Sequence, residues 1–80
     1  MDDNEIHGRI EELVAEEHRI WESEASGSTD EEARRRLDAI GVSLEQWWDL
    51  LRQRRALREA GRDPDEARIR DPETFDRYQQ

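Results

Sequence analysis

Between residues 33 and 51 the apolar side chains return by fours and threes: Ala33, Leu37, Ile40, Leu44, Trp47 and Leu51. That alternation holds one stripe along a helix and is the seam pattern of helix pairs. A strand would alternate by twos, so this stretch is not one. Two adjacent tryptophans, Trp47 and Trp48, lead into Leu50 and Leu51. Arginines follow at positions 52, 54, 55 and 58. The first half of the run is core and the last half a charged handle. Cations suit the negative end of a helix dipole, and Gly61 is a good helix stop. The pattern predicts a helix over about 29–60. Gly41-Val42-Ser43 with Gln46 offers an alternative, a break followed by a fresh cap. A single interior glycine costs only about 1 kcal/mol, and the heptad phase crosses Gly41 unbroken, so one continuous helix is expected.

A second stripe precedes it. Ile6, Ile10, Leu13, Val14, Ile20 and Trp21 share one helical face and predict a helix over about 3–24. Residues 25–28, Ala-Ser-Gly-Ser, make the break. Ser28 with Glu31 and Thr29 with Glu32 both match a capping box for the second helix. Antiparallel pairing through this loop sets Ile20 opposite Leu37, Glu17 opposite Ile40, Leu13 opposite Leu44, Ile10 opposite Trp47 and Ile6 opposite Leu51. Asp3 then faces Arg54, and Asp2 and Glu5 come near Arg54 and Arg58. Glu17 falls among apolar neighbours, with Arg36 the nearest donor if it is buried. The tail, 61–80, carries two more helix starts, Asp63-Pro64 and Asp71-Pro72. They predict short turns at about 64–69 and 72–78, from which Ile69, Phe75 and Tyr78 can dock on the long helix.

Leu, Ile, Val and Phe number only 14 of 80 residues, a fraction that invites a disordered reading. Their placement on seams decides for ordered helices. The net charge of −9 argues against nucleic acid and anionic membrane as partners, because a polyanion would be repelled at long range. No run of about 18 apolar residues spans a bilayer. The acidic opening, Asp2, Asp3, Asn4 and Glu5, is not a basic signal peptide. Without cysteine there are no disulfides or thiolate ligands. A cytoplasmic protein is expected. All thirteen basic residues are arginine, which suits fixed ion pairs.

No constellation announces chemistry. His7 and His18 lie eleven residues apart, about 16 Å along a helix, too far to share a metal within one chain. The Glu-x-x-His pattern of di-iron bundles is missing, since Asn4 and Ala15 occupy the required positions. Glu11-Glu12 and Glu16-Glu17 fit a solvated face. The glycines at 8, 27, 41 and 61 form no phosphate loop, and no serine has a nucleophile context. No catalytic, cofactor or metal residue is expected, and the chain is not expected to be an enzyme.

The stretches DDNEIHGRIEELVAEEHRI, WWDLLRQRRALREAG and DPDEARIRDPETFDRYQQ together resemble domain-of-unknown-function family 2630, small proteins of actinobacteria. The resemblance covers most of the chain and is weakest from Ser23 to Asp30. Its most specific part runs from Asp49 to Ala56, and Gly41 departs from it where a polar helix former is expected. It implies a helical, bacterial, cytoplasmic protein, with no assigned activity, cofactor or site.

The expected fold is all-α: an antiparallel two-helix hairpin, coiled-coil-like, with a longer second helix and a short helical tail. One hairpin leaves Val14, Trp21, Trp48, Leu50 and Leu57 beside its seam. A homodimer packing two hairpins into a four-helix bundle would cover them; the tail covering one flank is the monomeric alternative. The expected function is a protein-interaction module, with Trp21, Trp47, Trp48, Leu50, Leu57, Arg54, Arg55 and Arg58 as its interaction residues. The alternative is a small regulator of transcription or translation acting through the arginine end of the second helix.

Overall fold

The computed structural model describes residues 1–25 and 30–71. Helix α1 spans Asp3–Ala25, helix α2 spans Glu31–Glu59, and a 3-10 turn, η1, spans Pro64–Glu66. The fold is the all-α hairpin read from the seams, with α2 the longer arm. Among the described residues there is no strand. Helix α2 runs through Gly41 without a break.

Each helix end has a local cause. Asp2 Oδ1 accepts from the Glu5 backbone N–H at 2.8 Å while Glu5 Oε1 accepts from the Asp2 N–H at 3.4 Å, a reciprocal cap on α1. Asp2 and Glu5 bond each other in the cap; of these three acids, Asp3 is the one bonded across to α2. Helix α1 includes Ala25, where the sequence suggested the loop begins. Helix α2 starts two residues later than expected because Asp30 caps it, accepting from the Ala33 N–H at 2.6 Å. The Ser28 and Thr29 capping pairs lie outside the described residues, as do the turn at 72–78, Phe75 and Tyr78.

The far end of α2 closes with Gly61 at φ 71°. The Gly61 N–H donates to the Arg58 carbonyl at 3.0 Å and the Arg62 N–H to the Leu57 carbonyl at 2.8 Å. This paired arrangement satisfies the last carbonyls and needs a left-handed residue, which glycine supplies without cost. The chain turns back on itself. Asp63 caps η1 ahead of Pro64. The expected turn over 64–69 is shorter, three residues of 3-10 helix, and residues 67–70 then run irregularly back along α2.

The helices are antiparallel: Asp3 near the start of α1 meets Arg54 and Arg58 near the end of α2, and Glu16 meets Arg36 near its start. Ile6 and Ile40 are fully buried. Ile6, Ile10 and Leu50 form the main cluster, with Leu44, Trp47, Leu51 and Ala67 packed against it. One pairing differs from the seam expectation. Arg36 forks onto Glu16, at 2.5 and 2.7 Å, and not onto Glu17. Both partners sit just off the seam, where the long side chains meet while staying partly in water; Glu17 is only half-buried.

Candidate interaction surfaces

Leu50 and Trp48 flank the Trp47–Leu51 seam on opposite sides, and the two flanks have different fates. On the Leu50 side the returning tail covers α2. Ala67 packs against the Ile6, Ile10 and Leu50 cluster, and Leu50 is 7% exposed within the single chain. Its burial needs no second copy. Asp49, 3% exposed, takes a two-point bridge from Arg70: Nη2 to Oδ1 at 2.5 Å and Nε to Oδ2 at 2.9 Å. Burial alone would raise the Asp49 carboxyl, but its bonds to Arg70 and Gln53 outweigh that and hold it below the ordinary range.

Gln53 and Gln46 complete the strap. The Gln53 side-chain amide donates to the Arg68 carbonyl at 2.6 Å and accepts from the Arg68 N–H at 3.2 Å. Gln46 donates to the Arg70 carbonyl at 3.1 Å. None of Gln46, Asp49, Gln53, Ala67 or Arg70 was singled out from the sequence as a functional group. A signal was present. In a chain that is 44% charged, α2 carries two neutral glutamines seven apart with an aspartate between. Spacing of three and four puts them on one helix side.

Arg54, a candidate for partner contacts, is turned inward and only 7% exposed. Its Nε donates to Asp3 Oδ1 at 2.6 Å, and its Nη1 to Asp65 Oδ1 at 2.9 Å and to the Pro64 carbonyl at 3.3 Å. It clasps α1, α2 and η1 together. Arg58 holds the other Asp3 oxygen at 2.8 Å. The bonds from Arg58 and Arg54 lower the Asp3 carboxyl; Arg54 does the same to Asp65, and Arg36 to Glu16. Carboxyls lowered by folding take up protons in the unfolded state first, so acid favours unfolding. Stability should be flat above about pH 5 and fall as the pH drops below about 4, through the folded values. Urea midpoints at pH 6 and pH 3 measure this; equal midpoints would mean the bridges contribute nothing.

Among the described residues the other flank is open. His7 meets Trp48 edge to face, centroids 6.1 Å apart at 78°. At the opposite end Trp21 and Leu37 share a shallow cleft with Glu24, Arg34 and Asp38. His7, Val14 and Trp21 repeat every seven residues on α1, and Arg34, Gly41 and Trp48 every seven on α2. Antiparallel pairing that sets His7 beside Trp48 and Trp21 beside Arg34 therefore sets Val14 beside Gly41. Trp48 is 44% exposed, Val14 38% and Trp21 55%. Nothing lies within 4 Å of the Cβ position at Gly41. The result is two tryptophans at either end of a strip that dips at Gly41. Trp47, by contrast, points to the core, and Leu57 is half-buried. Arg55 is exposed and paired with Glu59 at 3.1 Å. Arg52, Arg55 and Arg58 surround a second cleft beside Trp48.

Among the described residues no group of three or more His, Asp or Glu is placed to hold a metal ion, and no helix is long and apolar enough to cross a membrane. Residues 2–80 match the family described as Protein of unknown function (DUF2630). The chain belongs to this family. Its resemblance to family 2630 is thereby shown along nearly its whole length. The chain is similar to an uncharacterized protein of Mycobacterium bovis, 42% identical over 77 residues, covering 95% of this chain and 88% of the relative. Uncharacterized proteins of two Mycobacterium tuberculosis strains are similar to the same degree and over the same shares. No solved structure matches the chain.

Proposed function

We propose that this chain is a non-enzymatic, cytoplasmic interaction module that works as a homodimer, two hairpins joined through the Trp21–Val14–Trp48 face into a four-helix bundle that presents charged outer faces to a protein partner. The observation that carries the reading is the open face itself: among the described residues, large apolar side chains on a strip that residues 61–71 leave bare, in a chain otherwise dominated by charge. Burying each such side chain is worth about 1.5–3 kcal/mol. The strip suits a second copy turned end over end about the Val14–Gly41 line. That turn brings the Arg52 and Arg55 end over the end that carries Glu24 and Asp38 beside a single arginine, Arg34. A copy in the same direction would set arginines against arginines. The regulator reading through the arginine end has less support, because Arg54 and Arg58 are spent on Asp3 and Asp65.

Sedimentation at micromolar concentration tests the reading. A dimer is expected, tighter at higher salt because salt screens the −9 repulsion. Trp48→Glu should weaken it at least tenfold. Val42→Glu should not, since Val42 is exposed on the outward side of α2. A monomeric wild type at moderate salt would end the proposal.

Gly41 gives a second handle. With open space at its Cβ, Gly41→Ala gains about 1 kcal/mol of helix propensity. In a domain of this size that is a rise of roughly 4–8 °C in Tm. Calorimetry on the dilute chain checks it; a fall in Tm would mean the strip already packs against something there.

A further inference from the structure

The segment after η1 sits on α2 as a peptide sits on a receptor. Gln53 grips the main chain of Arg68 at two points, donating to its carbonyl and accepting from its N–H. Gln46, two turns away, donates to the carbonyl of Arg70. These three bonds read backbone and are indifferent to side chains. Two further contacts read side chains. Ala67 rests on the Ile6, Ile10 and Leu50 cluster, and the Arg70 guanidinium forks onto buried Asp49. The polar contacts all come from one helix, through Gln46, Asp49 and Gln53, and the apolar floor is shared with Ile6 and Ile10 of α1.

We propose that this groove of α2 is a receptor site for an extended protein segment, filled in cis by residues 67–70, and that the partner it fits is a segment of another protein bearing a small residue and, three positions later, an arginine. The charge at Asp49 sets the requirement. A segment without arginine would leave a buried carboxylate unpaired, and lysine cannot match both of its oxygens at once. The backbone bonds supply affinity, and the arginine supplies selectivity. The chain's own tail competes at high effective concentration, tethered through Gly61 to Asp63. It therefore gates the site: a partner enters only where further contacts offset the displaced tail. The groove lies on the Leu50 flank, away from the His7–Trp48 face, so it does not depend on the dimer.

The test uses the full chain with Arg70→Glu, which sets a second carboxylate against Asp49 and lifts the tail. The probe is a capped peptide with the sequence of residues 66–71. The readout is the side-chain amide resonances of Gln46 and Gln53 in the isotope-labelled chain. They should shift with a midpoint at least tenfold lower than in the wild type. The shift should vanish when the peptide's last arginine is replaced by alanine. If R70E does not fold, R70A carries the same measurement without added repulsion. Overturning results are no shift at millimolar peptide, or a shift that survives loss of the peptide's arginine. The same shift on adding unlabelled wild-type chain at micromolar concentration would make a second copy's tail the occupant, and would overturn the assignment to a different protein.

Discussion

Ile6→Ala should cost about 2–5 kcal/mol, the range for deleting a fully buried aliphatic side chain. Ile6 has no exposed surface and sits in the cluster with Ile10 and Leu50, against Leu44, Trp47 and Leu51. Two packed helices and a strap have little room to collapse around the void without losing other contacts. A small domain holds only about 5–10 kcal/mol in total, so this one change removes a large share of it. Urea denaturation should show a midpoint well below wild type with an unchanged slope. Ile6→Val, which removes one methyl group, should cost about 0.5–1.5 kcal/mol. If alanine and valine cost the same, Ile6 is not packed as described.

Arg54→Ala is the second large effect, about 2–3 kcal/mol. Hydrogen bonds to charged groups carry about 1.5–3 kcal/mol, and the buried aliphatic stem adds packing. The loss is moderated because Asp65 is mostly exposed and regains water. Lysine should not restore it. A single ammonium cannot reach Asp3 on one side and the Pro64 carbonyl and Asp65 on the other, as the planar guanidinium does. A charge swap is informative for the same reason. Asp3→Arg alone should destabilise, since it sets a cation against Arg54 and Arg58. Adding Arg54→Asp should restore only part, because the new carboxylate faces Asp65. Full restoration would mean that Arg54 and Asp3 act as an isolated pair, and that η1 is not part of the clasp. A double-mutant cycle with chemical denaturation separates the cases.

Much of the architecture was legible in the seams. The heptad phase of Ala33 to Leu51 determined a continuous α2 and carried it through Gly41, because one glycine costs less than the burial its neighbours gain. The same phase on α1, laid antiparallel, sets Asp3 against Arg54. Gly61 and Asp63-Pro64 marked the reversal and the capped turn, because positive φ and proline at a first helical position are local demands. The flanks were not legible. Periodicity says which residues face the partner helix; it does not say what covers the sides. Tertiary structure alone decided that the tail takes the Leu50 side, that Arg54 holds Asp65 and the Pro64 carbonyl as well as Asp3, and that Asp49 is buried under Arg70. Each depends on where a short irregular segment lands, which a few side-chain hydrogen bonds fix and no repeat encodes. Arg36 choosing Glu16 over Glu17 is the same lesson at one residue's scale: helical spacing places both carboxylates near the seam, and the reach of a guanidinium past the packed side chains picks between them.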